Sequence, residues 1–168
     1  MNRNIILRSV LKEEFSKVRE LAQIIWPICY KNILSIEQIS YMMDMMYSTS
    51  VIEKEVEEGI HYYFIELDSQ IAGYVAWGPW ENVPSTAKLH KLYLLPQMQG
   101  QKIGNIVINL VKQQVKASGC CRIRLNVNRE NNNAIKCYSN NNFTMVQIEN
   151  NDIGNGFYMM DYVMEAKV

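Results

Sequence analysis

From Leu92 to Asn105 the chain reads Leu-Tyr-Leu-Leu-Pro-Gln-Met-Gln-Gly-Gln-Lys-Ile-Gly-Asn. The stretch is a strand end, a glycine-bearing turn and the start of a long helix. Free backbone N–H groups and the positive end of a helix dipole gather at such a junction, so it suits an anion such as a pyrophosphate. Glycine matters there because a side chain would block the approach of phosphate to backbone. His90 lies in the strand that feeds this turn. Its imidazole titrates near about 6.5 in an ordinary setting, a useful value for taking a proton at neutral pH. Strict period-two alternation places Lys88, His90 and Leu92 on one face of that strand.

The elements that must position these residues follow from periodicity. Ile5 to Arg8 reads as a first strand. Leu11 to Tyr30 carries Phe15, Val18, Leu21, Ala22 and Ile25 at helical steps, with Pro27 kinking or ending the helix. Ser35 to Tyr47 is a second helix, with Ser35 as N-cap and Gln38 as its capping-box partner. Its Met42, Met43, Met45 and Met46 serve as core filler or as an adaptable wall for an apolar ligand group. Glu53 to Glu58 is a short helix or a loop. His61 to Leu67 and Ile71 to Trp77 form a hairpin about the turn Asp68-Ser69-Gln70. Ala87 to Leu95 is the next strand, followed by a helix from Gly100 to Ala117 that Ser118-Gly119 ends. Arg122 to Val127 is a strand and Asn131 to Asn140 a short helix. Phe143 to Ile148 and Phe157 to Met164 are the last two strands. This order predicts a mixed α/β sheet with helices on its faces, and a parallel crossover between Ala87 and Val127.

Composition narrows the classes. The 168 residues suit one domain spanning 1–168, and a hydrophobic share of 48% supplies a core without staples. Lys plus Arg and Asp plus Glu balance at 17 each, which gives no basic excess for nucleic acid and no pull toward an anionic membrane. Cys29, Cys120, Cys121 and Cys137 fit no zinc pattern and read as reduced, mostly buried thiols, so no metal is expected. The N-terminal stretch to Phe15 turns charged too soon for a secretory leader, and no apolar run would span a bilayer, which points to the cytoplasm.

Two motifs carry a family resemblance. Gln99 to Gly104 resembles the acetyl-CoA signature Gln/Arg-x-x-Gly-x-Gly/Ala of the GNAT acetyltransferases, with Lys102 standing where that family has its first glycine. Asn131-Asn132-Asn133-Ala134-Ile135-Lys136-Cys137-Tyr138, then Asn142-Phe143, is similar to the later motif Asn-x-x-Ala, Tyr, Gly-Phe, with Asn142 in place of glycine. Asn tolerates the left-handed conformation required there. If Lys102 kept helical dihedrals, its charge could pair with a phosphate; a positive φ would strain it. The tail from Asp152 to Tyr162 resembles the C-terminal hairpin of bacterial PaiA-type polyamine acetyltransferases within that family.

The resemblance implies a GNAT fold, a central mixed sheet of about seven strands flanked by helices on both faces. It implies acetyl-CoA as acetyl donor, held by Leu94, Leu95, Gln99, Gly100, Gln101, Lys102, Ile103, Gly104, Asn105 and Asn131. Tyr138 takes the position whose hydroxyl protonates the leaving thiolate. His90 takes the place of a catalytic Glu in some members, with a carboxylate or a water chain as other sources of the base; His61 is a less favoured candidate, and Glu66 and Glu81 are further candidates for the amine pocket. The implied acceptor is a small-molecule amine, such as a polyamine. The helical N-terminal third and the Trp77-Gly78-Pro79-Trp80 loop would build its pocket, with Glu53, Glu55, Glu57 and Glu58 supplying charge. A homodimer is expected, with neither nucleic acid nor membrane as partner. The other reading is an acyl-CoA sensor of the same fold without turnover.

Overall fold

A computed structural model describes residues 4–168; Met1–Arg3, part of the stretch read as too charged for a leader, lie outside the described residues. The elements are β1 (Ile5–Ser9), α1 (Phe15–Cys29), α2 (Ile36–Tyr47), α3 (Thr49–Glu57), β2 (His61–Leu67), β3 (Gln70–Pro79), β4 (Thr86–Leu94), α4 (Ile103–Ala117), β5 (Arg122–Asn128), α5 (Asn132–Asn140), β6 (Thr144–Gly154) and β7 (Phe157–Lys167). Seven strands form one sheet in the order β1-β2-β3-β4-β5-β7-β6. Only β4 and β5 pair in parallel; every other pair is antiparallel. Helices cover both faces. Phe15, Val18, Leu21, Ala22, Ile25 and Trp26 of α1 pack with α2 and α3 on one side, and Ile103, Val107, Ile108, Val111 and Val115 of α4 pack on the other. No helix among the described residues is long and apolar enough to cross a membrane.

Local chemistry explains most boundaries. Ser35 and Ser48 accept from Gln38 N and Val51 N and so cap α2 and α3. Asp68 and Ser69, with φ of 50° and 68°, form the paired left-handed turn that a two-residue hairpin needs. Gly73 is required by contact, because a Cβ there would stand 2.1 Å from the Tyr93 carbonyl oxygen across the β3–β4 pair.

Several expectations need correction. Lys12–Glu14 is a 3-10 turn ahead of α1, and Pro27 lies inside α1 without ending it, two residues before its last residue Cys29. The helix after the glycine turn starts at Ile103 rather than Gly100, because Pro96–Met98 forms a 3-10 turn and Lys102 leaves helical space. The final hairpin is longer than expected, since Gly154-Asn155-Gly156 at positive φ closes it as a tight turn. All four cysteines are free, but Cys121 is exposed and the others only half-buried.

Candidate active site

The site starts from one extra residue. Opposite β3, Ala76 pairs with Lys91 and Trp77 with Leu89, so His90 is a bulge in β4. A bulge inverts the alternation beyond it and bends the strand. Leu89 and Leu92 therefore face the α4 side, while Lys91 and Tyr93 face the α1–α3 side with Lys88. The expected common face of Lys88, His90 and Leu92 does not form. The parallel pairing of β4 with β5 ends at Leu89 and Leu125, although β4 continues to Leu94 and β5 to Asn128. The sheet splays there, and the backbone groups of residues 90–94 that face β5 have no strand partner.

A cleft of about 820 Å³ fills this splay. Leu94, Gln99, Gly100, Lys102, Ile103, Gly104, Asn105, Asn131 and Tyr138 line it. Leu95 and Gln101 do not: Leu95 packs toward the α1–α3 side with its N–H on the Ala72 carbonyl (2.8 Å), and Gln101 Nε2 donates to the Gln97 carbonyl (2.8 Å). The first N–H groups of α4 have no partner within the helix and open onto the cleft. A Cβ on Gly100 would meet nothing within 4 Å, so the turn leaves room for a bulky anion. An extended arm with amide groups can pair with the open β4 edge, and a pyrophosphate can sit at the α4 N-terminus. The cleft thus fits acetyl-CoA, by chemistry and by shape.

Lys102 has φ 62° and ψ 10°, the left-handed conformation, and not the helical dihedrals that would have left it unstrained. A lysine supplies what glycine supplies more easily, at a cost of about 1 kcal/mol. Lys102→Gly is expected to raise stability by about 0.5–1 kcal/mol, and Lys102→Ala to give no such gain, since alanine keeps the clash. Thermal melts of the two variants beside the parent check this.

Tyr138 is placed by the way α5 stops. Asn142 takes φ 64°, the left-handed conformation expected of a residue standing in place of glycine at a helix stop. Phe143 N then donates to the Tyr138 carbonyl (3.1 Å) and Asn142 N to that of Ser139 (3.1 Å), a Schellman stop. The Tyr138 and Phe143 rings meet edge-on at 5.6 Å. Asn141 bonds Asn105 Oδ1 (2.9 Å) and the Cys137 carbonyl (2.8 Å), tying α5 to the first turn of α4. The Tyr138 hydroxyl makes no hydrogen bond among the described residues, and burial pushes its pKa up, so the phenol stays protonated.

A second cavity, of about 390 Å³, opens on the other side of β4. It meets the cleft at Tyr30, Leu89, His90, Lys91, Tyr93 and Asn126, which line both. Helices α1 to α3 contribute Trp26, Gln38, Met42, Met46 and Glu55, and the α1–α2 turn contributes Leu34. Met42 and Met46 thus serve as wall, while Met43 is core and Met45 is exposed. The Trp77–Trp80 segment does not line the cavity; Trp80 instead lies under Lys88 Nζ at 4.8 Å. Of the four acids expected there only Glu55 arrives, and it is bound to Lys91 Nζ (2.8 Å) and to the Tyr62 hydroxyl. Glu66 pairs with Arg8 (2.6 Å), His61 is exposed beside Trp77, and Glu81 is exposed in the β3–β4 loop. Two acids from the final hairpin were missed: Glu149 on β6 and Asp161 on β7, both bonded to Asn126 Nδ2 (2.8 and 3.4 Å). A lone Asp within Phe157–Met164, an apolar strand, was the available signal.

His90 sits at the junction. Burial, then the charges of Lys88 and Lys91, pull its pKa down to about 3, so the ring is neutral at physiological pH. Its Nε2 is buried and without a partner among the described residues, as is Asn126 Oδ1. Burial pushes the Asp161 carboxyl up, Asn126 opposes this, and Glu149 adds to it.

Comparison with known proteins agrees with this architecture. The model of the acetyltransferase (GNAT) family matches residues 17–143. The spermidine N(1)-acetyltransferase of Thermoplasma acidophilum is 26% identical over 169 residues, covering 98% of each chain. The crystal structure of the PaiA N-acetyltransferase from the same organism, in complex with coenzyme A, superposes with a TM-score of 0.80 at 25% identity, covering 98% of this chain and 99% of that one. A related N-acetyltransferase from Rhodopseudomonas palustris has the same fold, with a TM-score of 0.80 at 15% identity, covering 100% and 99%. With an open strand edge, a helix N-terminus and a phenol converging on one cleft, the chain belongs to the acetyltransferase (GNAT) family and is an N-acetyltransferase that uses acetyl-CoA.

Proposed function

We propose that the acceptor is a polyamine of the spermidine or spermine class, acetylated by direct attack on the thioester. The observation that carries this reading is the carboxylate-bearing cavity that joins the donor cleft at His90 and Asn126. The similarity to a spermidine N(1)-acetyltransferase over the whole chain supports it.

Acetyl-CoA supplies an activated acetyl group and a thiolate leaving group. The open β4 edge aligns the donor, and a backbone N–H beyond Leu89 polarises the carbonyl as an oxyanion donor. The amine attacks as the free base, its ammonium proton having gone to solvent. The C–N bond forms and the C–S bond breaks. Tyr138 gives its proton to the departing sulfur, and the proton lost by the acylated nitrogen restores the phenol. His90 accepts a hydrogen bond from the attacking N–H and orients it. With a pKa near 3 it is too weak a base to hold that proton. The reading also keeps a homodimer in the cytoplasm.

The test is thiol release from acetyl-CoA across an amine panel containing spermidine, spermine, a lysine peptide, an amino acid and an aminoglycoside. Release with a polyamine at a kcat/KM at least tenfold above the rest is expected. A better acceptor elsewhere in the panel would replace the polyamine. Tight acetyl-CoA binding with no release from any amine would favour the sensor.

A further inference from the structure

Asp161 is 3% exposed, lines the acceptor cavity, and forms no ion pair among the described residues. A buried carboxylate without a cation is costly, and folded proteins retain one where something arrives to pair with it. Glu149 beside it also lacks an ion pair among the described residues; it accepts from Gln147 Nε2 (3.4 Å) and Asn151 Nδ2 (3.1 Å) as well as from Asn126 Nδ2, whereas Asp161 has Asn126 Nδ2 alone. The other side-chain atom of Asn126, Oδ1, is buried and receives no donor among the described residues.

The charged groups around this point do not satisfy it. Lys91 is held by Glu55 at the α3 end of the cavity. Lys88 and Arg129 draw the Asp161 carboxyl down through their charge, but neither forms an ion pair with it: Lys88 lies over the Trp80 ring, and Arg129 bonds Asn150. With His90 neutral, three carboxylates and two ammonium groups line the cavity, which leaves one carboxylate charge in excess. The reacting amine must be uncharged to attack, so it does not supply the missing cation.

We propose that Asp161, Glu149 and Asn126 Oδ1 seat a second, non-reacting ammonium of the acceptor, and that the enzyme thereby selects amines with two cationic centres over monoamines and amino acids. Three acceptors match the three N–H donors of a primary ammonium. Asn126 lines both cavities, so the seat adjoins the point of transfer and the two nitrogens are joined by a short alkyl chain. Leu34, Met42 and Met159 give a flexible apolar wall for further methylenes. An amino acid would turn its carboxylate toward Asp161 and Glu149 and be repelled. This inference rests on the polyamine reading and assigns the residues that enforce it.

The experiment is calorimetric titration of the enzyme, with and without saturating coenzyme A, using 1,4-diaminobutane, n-butylamine and 4-aminobutyrate. The diamine is expected to bind at least tenfold more tightly than butylamine, and 4-aminobutyrate more weakly than either. Asp161→Asn and Glu149→Gln should each weaken diamine binding about tenfold. Without ligand, Asp161→Asn should melt no lower than the parent, because it removes an unpaired buried charge. Equal affinity for diamine and butylamine in the parent, undiminished diamine binding by Asp161→Asn, or a markedly lower melting point for that variant would each overturn the seat. Diamine binding as expected without thiol release from acetyl-CoA would sink the transfer to polyamines and leave the seat standing. Thiol release that makes no distinction between diamine and butylamine would do the reverse.

Discussion

Tyr138→Phe is expected to lower kcat for thiol release by about 10²–10⁴-fold, the range for removing a general acid, with KM for both substrates within about threefold of the parent. The split follows from the geometry. The ring is held by the α5 stop and by its edge contact with Phe143, both of which phenylalanine keeps. The hydroxyl has no hydrogen-bond partner among the described residues, so its loss leaves no orphaned donor or acceptor. Stability and coenzyme A affinity should therefore hold while the proton source disappears. Burial also raises the phenol's pKa. The parent's rate should then show no alkaline decline from this group below about pH 10, the value of an unperturbed tyrosine. Steady-state kinetics beside coenzyme A titration test the split. A variant within threefold of the parent in kcat would mean that Tyr138 only packs, and Tyr30, the next hydroxyl at the junction, would become the group to replace.

Most elements were legible because they announce themselves locally. The α1 stripe at three- and four-residue steps, the Asp68-Ser69 turn and the Ser35 cap are all decided within a few residues of chain. Asn142 was legible for the same reason, since a helix stop needs a left-handed residue and asparagine is one of the few that supplies it. The site was legible where motifs reach it and obscure where the sheet brings distant segments together. Alternation predicts one face for Lys88, His90 and Leu92, but nothing in the one-dimensional pattern marks His90 as the extra residue. That single bulge opens the splay and also sends Lys91 to the α1–α3 side. Lys102 shows the opposite limit, because its positive φ is imposed by the turn around it and contradicts its own preference. Reading the acidic run of α3 as the pocket's charge was reasonable by proximity to the helices. The sheet order places β7 and β6 beyond β5, however, so the C-terminal hairpin brings Asp161 and Glu149 to the same cavity.

Glu55→Gln is expected to destabilise the protein by about 2–3 kcal/mol at neutral pH, at or just below the low end for breaking a buried ion pair. Lys91 is 3% exposed, and Glu55 Oε2 takes its Nζ at 2.8 Å. Its remaining neighbours are aromatic faces, Tyr62 at 5.1 Å and Tyr47 at 5.6 Å, which soften but do not replace the lost anion. The cost stays below the full range because Lys91 can shed its proton. Burial already lowers its pKa, Glu55 works against that, and Lys88 adds to it. The sign with pH follows. A lysine whose folded pKa lies below its unfolded value burdens the fold while it is charged, and the burden lifts as pH rises through the folded pKa toward the unfolded one. Removing Glu55 lowers the folded value further, so the gap between variant and parent should be widest near neutrality and narrow toward pH 10. Urea melts across that range measure it. The double variant Glu55→Gln/Lys91→Met should fall within about 1 kcal/mol of the parent, since it removes both charges of the pair and keeps a long apolar chain between the two tyrosines. A Glu55→Gln deficit that does not change with pH would mean that the lost Tyr62 bond, and not the stranded ammonium, sets the cost. The pair would then be a structural strut of the acceptor cavity whose charge is incidental.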